Sequence, residues 1–482
     1  MIIRTRIAPS PTGLFHIGTA RTALFNYLFA KRYGGKFILR IEDTDHERSK
    51  PEFENDIFEG LKWLGIAPDE DPLGGGLFGP YRQSERTEKY QIYLEKLLSE
   101  GNAFYCFHSE KELAVEQDRW TAERKQAFHE CEYRNTPLKE GEQIKKEKKS
   151  FVIRFKTPAG VTVMFRDLIR GEVSFETSFV GDFSIAKDIT VPLYNFAVVV
   201  DDELMKISHV IRGEDHISNT PKQLLLIEAL GFSRPQYAHL PLILGADRSK
   251  LSKRHGAISL NEFREQGYLR EAMINFMAFL GWNPGGEREL FSLAELENEF
   301  SFEKVQKAGA VFNQEKLDWF NAHYIKQKTI DELTQLCAPY FNPESRIQNP
   351  EFLKKIVALE QPRLKKLSDI KESTQFFFKE AGYDATLLAW KDSAEEKTIR
   401  ALECAKTLLE RIADPFEKIK LQDVFFAEID KSFQGKGELL WPLRVALSGK
   451  KTSPSPFEII EILGREESLR RVNGALMNLK RR

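Results

Sequence analysis

Residues 2–45 constrain the fold more than any other part of the chain. Residues 2–8 form a short β-type run, broken by Pro9 and Pro11, with Gly13 in the loop that follows. From Ala20 onward the apolar side chains Ala23, Leu24, Tyr27 and Leu28 fall at helical spacing, and Gly34-Gly35 ends the element. A second β-type run, residues 37–41, passes directly into Glu42-Asp43-Thr44-Asp45. Strand, helix and strand joined by tight loops open a parallel, doubly wound sheet, whose ligands bind beyond the carboxyl ends of the strands.

At 482 residues the chain exceeds what one core holds, and about three to five domains are expected. Residues 106–190 mix charged helix with short β-type runs such as 151–155, and the highly charged 141–149 reads as an exposed connector. Alternation then resumes. Residues 204–211 read as a strand, Thr220-Pro221-Lys222-Gln223 as a capping-box start of a helix running to Gly231, and 237–244 as another strand. The simplest account is one nucleotide-binding domain split by an insertion. Beyond about residue 325 the pattern is almost wholly helical, with Ile399, Leu402, Leu409 and Ile412 on one face that stops near Asp414-Pro415. The expected fold class is therefore α/β: a split Rossmann-type parallel sheet with an α+β insertion, followed by an all-α C-terminal half.

Lys plus Arg is 71 against 72 for Asp plus Glu. A neutral whole does not advertise nucleic acid, so any RNA must meet local basic surfaces. The first six residues lack the apolar run of a signal peptide, and no stretch reaches the roughly 20 apolar residues of a membrane span. Four cysteines make no disulfide scaffold and suit a reducing, cytoplasmic location.

Two motifs carry the chemistry. Pro9-Ser10-Pro11-Thr12-Gly13-Leu14-Phe15-His16-Ile17-Gly18-Thr19 lies between the first strand and the first helix. Gly18 lets the backbone come close to a phosphate, Thr19 opens the helix, and His16 can donate to ATP phosphates. Lys250-Leu251-Ser252-Lys253-Arg254 follows the last β-type run. Two lysines on a loop suit neutralisation of a leaving pyrophosphate.

Together these resemble the HIGH and KMSKS signatures of class I aminoacyl-tRNA synthetases, with Thr19 where the first signature has a second histidine. Arg40-Ile41-Glu42-Asp43-Thr44-Asp45, Pro80-Tyr81-Arg82-Gln83-Ser84-Glu85-Arg86, Tyr194-Asn195-Phe196-Ala197 through Asp201-Asp202, and Arg212-Gly213-Glu214-Asp215-His216 look like the glutamyl branch. The likeness continues through Leu317-Asp318-Trp319 to Trp441-Pro442-Leu443-Arg444, nearly the whole chain.

The resemblance implies ATP- and Mg²⁺-dependent activation of L-glutamate and its transfer to the terminal adenosine of tRNA(Glu). ATP would meet His16, Gly18, Thr19, Lys250 and Lys253, with His16 and Lys253 catalytic. Arg6 would pair with the γ-carboxylate, Ser10 and Glu42 would serve the α-amino end, and Tyr194 and Arg212 would line the pocket. Val198 and His216 receive no role. The implied domains are the two catalytic halves 1–105 and 191–250, an acceptor-end-binding insertion 106–190, a stem-contact domain 251–325 bearing the KMSKS-like loop, and a helical anticodon-binding region 326–482. Anticodon contacts would include Arg363-Leu364-Lys365-Lys366, while Lys480-Arg481-Arg482 reads as a frayed basic tail. A monomer is the family habit.

Within the insertion, Cys106-Phe107-His108 and His129-Glu130-Cys131 offer four ligands suited to tetrahedral Zn²⁺. Both readings stay open, a structural zinc and a branch that has lost its metal. Cys337 and Cys404 sit in helical context as apolar fillers. Two further alternatives share or lose the chemistry: an enzyme that also charges tRNA(Gln), and a catalytically silent tRNA- or nucleotide-binding module.

Overall fold

A computed structural model of the chain describes residues 2–45, 47–122, 128–148, 150–256, 259–341, 349–380, 382–391 and 393–480. It divides into two compact units, Met1–Arg264 with Arg270–Leu317, and Glu265–Leu269 with Asp318–Arg482.

In the first unit, the strand Arg4–Ile7 leads through the proline loop to the helix Ile17–Arg32 and the strand Lys36–Leu39. The two strands pair in parallel with Arg6 opposite Ile38. The helix buries Ala20, Ala23, Leu24, Phe25 and Leu28 completely, which explains why its apolar residues wrap most of its circumference. On the other side of Arg4–Ile7 lies His209–Gly213, joined by Ser208 N–H to Arg4 C=O (3.0 Å) and Arg4 N–H to Ser208 Oγ (2.8 Å). That strand pairs in parallel with Gln236–Leu240. The fully buried Asn26 ties the layers together, its Nδ2 donating to Ile211 C=O (3.1 Å) while its own carbonyl accepts from Thr5 Oγ1 (2.9 Å). Segments far apart in sequence thus form one parallel layer.

Between them the chain builds two further β structures. The hairpin Thr162–Asp167 and Gly171–Glu176 extends the same sheet, Asp167 standing opposite Tyr237. A second, antiparallel sheet contains Ala103–Cys106, Val152–Phe155, Phe183–Asp188 and Val191–Pro192 in that order.

Four local readings are corrected. Residues 204–208 are not strand: the helix Tyr194–Leu204 ends there and the strand begins at His209. The expected connector 141–149 lies mostly in the helix Leu138–Glu147, because its lysines and glutamates are good helix formers. The stretch 237–244 is divided by Pro241, which has no amide to give a ladder, into Gln236–Leu240 and Ile243–Leu244. Thr220 is the first residue of the helix Thr220–Leu230 and caps nothing. Its hydroxyl instead meets Arg212 Nη2 (2.9 Å) and His239 Nε2 (3.2 Å).

The second unit is helical. Its core gathers Leu402 and Leu409 of Glu395–Arg411, Leu443 of Lys436–Ser448, and Ile460 and Val472 of Pro456–Lys480, which breaks at Gly464 (φ 76°). Cys337 is fully buried and Cys404 half-buried, as apolar fillers would be. Among the described residues no helix is long and apolar enough to cross a membrane.

Candidate active site

At the carboxyl ends of Arg4–Ile7 and His209–Gly213 the first unit opens into a cavity of about 1040 Å³. Arg6, Ser10, His16, Gly18, Thr19, Glu42, Tyr194, Arg212 and Lys250 all line it. Lys253 begins the short turn Lys253–His255, and its side chain lies outside the described residues.

The nucleotide-like end is the start of the first helix. His16, and not Thr19, is the N-cap: its Nδ1 accepts from Thr19 N–H at 3.3 Å, while Nε2 lies 3.1 Å from Thr19 Oγ1. This gives Thr19 a function that its sequence position left open, holding the histidine ring from two sides. A side chain at position 18 would press a Cβ within 3.1 Å of His16 Nδ1, so the loop keeps its shape with glycine there. Desolvation first, and the Lys250 cation second, hold the His16 imidazole below its ordinary range. Lys250 is engaged by Asp215, Nζ to Oδ2 at 3.0 Å, at the rim of the same cavity.

A second group of residues brings buried charge to the cavity. Arg6 (4% exposed) rests on Asp202, Nε and Nη2 donating at 3.2 and 3.3 Å. Arg40 is completely buried and bridges Asp202 (2.7 Å) and Glu42 (3.0 Å). Burial outweighs these cations at Glu42 and pushes its carboxyl up. Arg212 pairs with no carboxylate among the described residues: Nε and Nη2 go to His239 and Thr220, while Nη1 is buried with no partner. A buried guanidinium nitrogen without an acceptor is costly, and an anionic ligand in the cavity would satisfy it.

Several lining residues escaped the sequence reading. His216 receives Tyr194 at its Nδ1, with 3.1 Å between the ring nitrogen and Oη, and Asp215 and Asn219 complete that wall. Their only sequence signal is adjacency to Arg212. Val198 is buried and does not reach the cavity.

In the antiparallel sheet and the segment after it, Cys106, His108, His129 and Cys131 bring their ligand atoms within 4.8 Å of one another. Cys106 Sγ lies 3.6 Å from both His108 Nδ1 and His129 Nε2, and Cys131 Sγ lies 3.7 Å from His108 Nδ1. Tetrahedral zinc, with its ordinary Zn–S and Zn–N lengths, sets sulfur and nitrogen ligands about 3.6 Å apart. His129 Nδ1 also meets Glu116 Oε2 at 2.5 Å, the outer carboxylate that usually orients a ligating histidine. These residues fit the metal.

A parallel sheet with a glycine loop at a helix N-terminus, a lysine loop at the cavity and a helical second unit are the features that the resemblance to class I aminoacyl-tRNA synthetases implies. Residues 2–319 match the family described as tRNA synthetases class I (E and Q), catalytic domain, and residues 332–476 match an anticodon binding domain. The chain is 47% identical to glutamate–tRNA ligase 1 of Caldicellulosiruptor saccharolyticus, over 98% of each chain. It is 44% identical to the glutamate–tRNA ligase of Carboxydothermus hydrogenoformans, over 98% of this chain and 99% of that one. A crystal structure of a glutamate–tRNA ligase from Elizabethkingia meningosepticum, in complex with its amino acid, superposes with a TM-score of 0.89 at 35% identity, covering 99% of this chain and 100% of that one. The chain belongs to the class I tRNA synthetases for glutamate and glutamine, within the glutamate–tRNA ligase family.

The cavity wall carries a pH signature. Burial first, and the Arg212 cation second, push the His216 imidazole down to about 4. His216 is then neutral at pH 7 and gains its proton only as the pH falls toward that value. Histidine NMR should show an imidazole that stays untitrated between pH 8 and about 5 and whose signal is missing from H216N. A His216 resonance titrating near the ordinary histidine value would contradict this environment.

Proposed function

We propose that this chain activates L-glutamate with ATP and transfers it to the 3′-terminal adenosine of tRNA(Glu). One observation carries the reading. A single cavity is lined by Arg6, Arg212 and Glu42 together with a helix N-terminus, His16 and Lys250. The first set suits an amino acid bearing an extra carboxylate, and the second suits polyphosphate. The Glu42 carboxylate and Ser10 receive the α-ammonium, Arg6 takes the γ-carboxylate with the Arg212 Nη1 beside it, and Tyr194 forms the wall between them.

In the first step an α-carboxylate oxygen of glutamate attacks the α-phosphorus of ATP. The bond from that phosphorus to the bridging oxygen breaks, and pyrophosphate leaves. His16 donates a hydrogen bond to phosphate oxygen, and Lys250 and Lys253 offset the charge that develops on the leaving group. Mg²⁺ arriving with ATP supplies further neutralisation of the phosphates. In the second step a ribose hydroxyl of the tRNA attacks the glutamyl carbonyl, and AMP departs with its oxygen. No protein nucleophile is required, since orientation and electrostatics carry both displacements.

The helical unit receives the anticodon. Arg363 and Lys365 are exposed on the loop between Pro350–Glu360 and Asp369–Phe378, which is anchored by the buried Leu364 and Leu367. A basic loop held by two apolar pegs is a suitable reader. We take the enzyme to be cytoplasmic and monomeric, and to discriminate against tRNA(Gln), in keeping with relatives named for glutamate alone. Cys106, His108, His129 and Cys131 hold one structural Zn²⁺ that pins the start of the insertion to its second arm.

Purified protein with ATP, Mg²⁺ and glutamate should aminoacylate a tRNA(Glu) transcript and leave a tRNA(Gln) transcript uncharged. Charging both would make the enzyme a relaxed one with the same chemistry. Charging neither would refute the reading and favour a silent tRNA-binding module. Metal analysis should find about one zinc per chain, lost in C131S, whereas a wild-type protein free of zinc as isolated, and unable to take it up, would refute the metal assignment.

A further inference from the structure

We propose that Asp202 is the positioning residue of the glutamate pocket, aiming Arg6 at the substrate while tying it through Arg40 to Glu42. The proposal rests on the functional reading above and deepens it. Asp202 does not line the cavity. It stands behind it, near the end of the helix Tyr194–Leu204, whose first residue does line it.

Both of its oxygens are engaged. Oδ1 accepts from Arg6 Nε (3.2 Å) and Arg40 Nη1 (2.7 Å), and Oδ2 accepts from Arg6 Nη2 (3.3 Å). The fork closes on two of the three Arg6 nitrogens, and among the described residues the third, Nη1, has no hydrogen-bond partner. A guanidinium held on one edge can turn only its remaining edge to a ligand, so Asp202 selects the orientation in which Arg6 faces the cavity it lines. The same carboxylate reaches Arg40, whose Nη2 holds Glu42 at 3.0 Å. Arg6, Asp202, Arg40 and Glu42 therefore form one buried chain. It links the group proposed for the γ-carboxylate to the group proposed for the ammonium, and sets the spacing between them.

Asp202 is charged despite its burial. Desolvation opposes ionisation, but Arg6 and Arg40 outweigh it and hold the carboxyl below the usual range. Its neighbour Asp201 gives the helix end further partners, accepting from Arg86 Nε (2.6 Å), Gln83 Nε2 (2.8 Å) and Tyr90 Oη (2.9 Å), and lies 3.7 Å from Arg40 Nε. A side chain preset in this way spares the substrate the cost of ordering it.

The test is tRNA-dependent ATP–pyrophosphate exchange by full-length wild type, D202N, D202E, R6K and the R6K/D202N double variant, with KM read separately for glutamate and ATP. D202N should raise the glutamate KM by about tenfold or more and leave the ATP KM within about twofold. D202E, which keeps the charge, should lie between D202N and wild type. In the R6K background, adding D202N should cost less than it does in the wild type, because part of what Asp202 does runs through Arg6. An unchanged glutamate KM, an equal rise for both substrates, or the full penalty on top of R6K would overturn the assignment. Should D202N fail to fold, D202E decides alone by the same contrast between the two KM values. A wild type inactive with glutamate would strike the functional reading itself, whereas an active wild type with an indifferent D202N strikes only Asp202.

Discussion

Two consecutive carboxylates, Asp201 and Asp202, hold together most of what matters in the first unit. Around them converge Arg6 from the first strand, Arg40 from the end of the second, and Gln83, Arg86 and Tyr90 from the stretch that follows. Arg40, Arg86 and Asp201 are buried almost completely. Charges so placed are stable only as a set, since removing one partner from a buried ion pair costs roughly 3–5 kcal/mol. The parallel sheet brings these residues to one place, and the ionic set in turn locks the ends of its strands where the cavity opens.

The nucleotide end works by a lighter principle. There the first helix offers its unpaired amides, Gly18 leaves room for the His16 ring, and Thr19 holds that ring as the N-cap. The His16 side chain is exposed and Gly18 and Thr19 are half-buried, unlike the buried Arg40 set. The contrast matches the two ligands proposed: a small amino acid with a second carboxylate that must be told from its amide analogue, and a large polyphosphate that needs only cations and donors. Discrimination between carboxylate and amide demands preorganised, desolvated charge.

How much of this was readable in the sequence depended on range. The strand–helix–strand opening and the helical second half follow local periodicity, and both were legible. The pocket residues Arg6, Glu42, Tyr194 and Arg212 were reachable through motif resemblance, because their neighbours in sequence are distinctive. The Asp202 contacts were not, for Arg6 and Asp202 meet across 196 residues. Thr220 misled for the same reason: its position looks like a helix cap, yet its hydroxyl serves the distant His239 and Arg212. The charged stretch 141–149 was taken for a connector since charge alone does not separate a solvated helix from a loop. The strand expected over 204–211 starts later than its apolar pattern suggests, because Leu204 still closes the helix Tyr194–Leu204 and the strand begins only at His209.

The central claim is that one cavity receives glutamate on a preset arginine–carboxylate chain. A crystal structure of this chain with glutamate and a non-hydrolysable ATP analogue tests it most directly. The account predicts the γ-carboxylate on Arg6 with Arg212 beside it, the ammonium at Glu42, and the phosphates at the start of the helix Ile17–Arg32. Glutamate bound with its ends reversed, or outside this cavity while Arg6 still rests on Asp202, would contradict it.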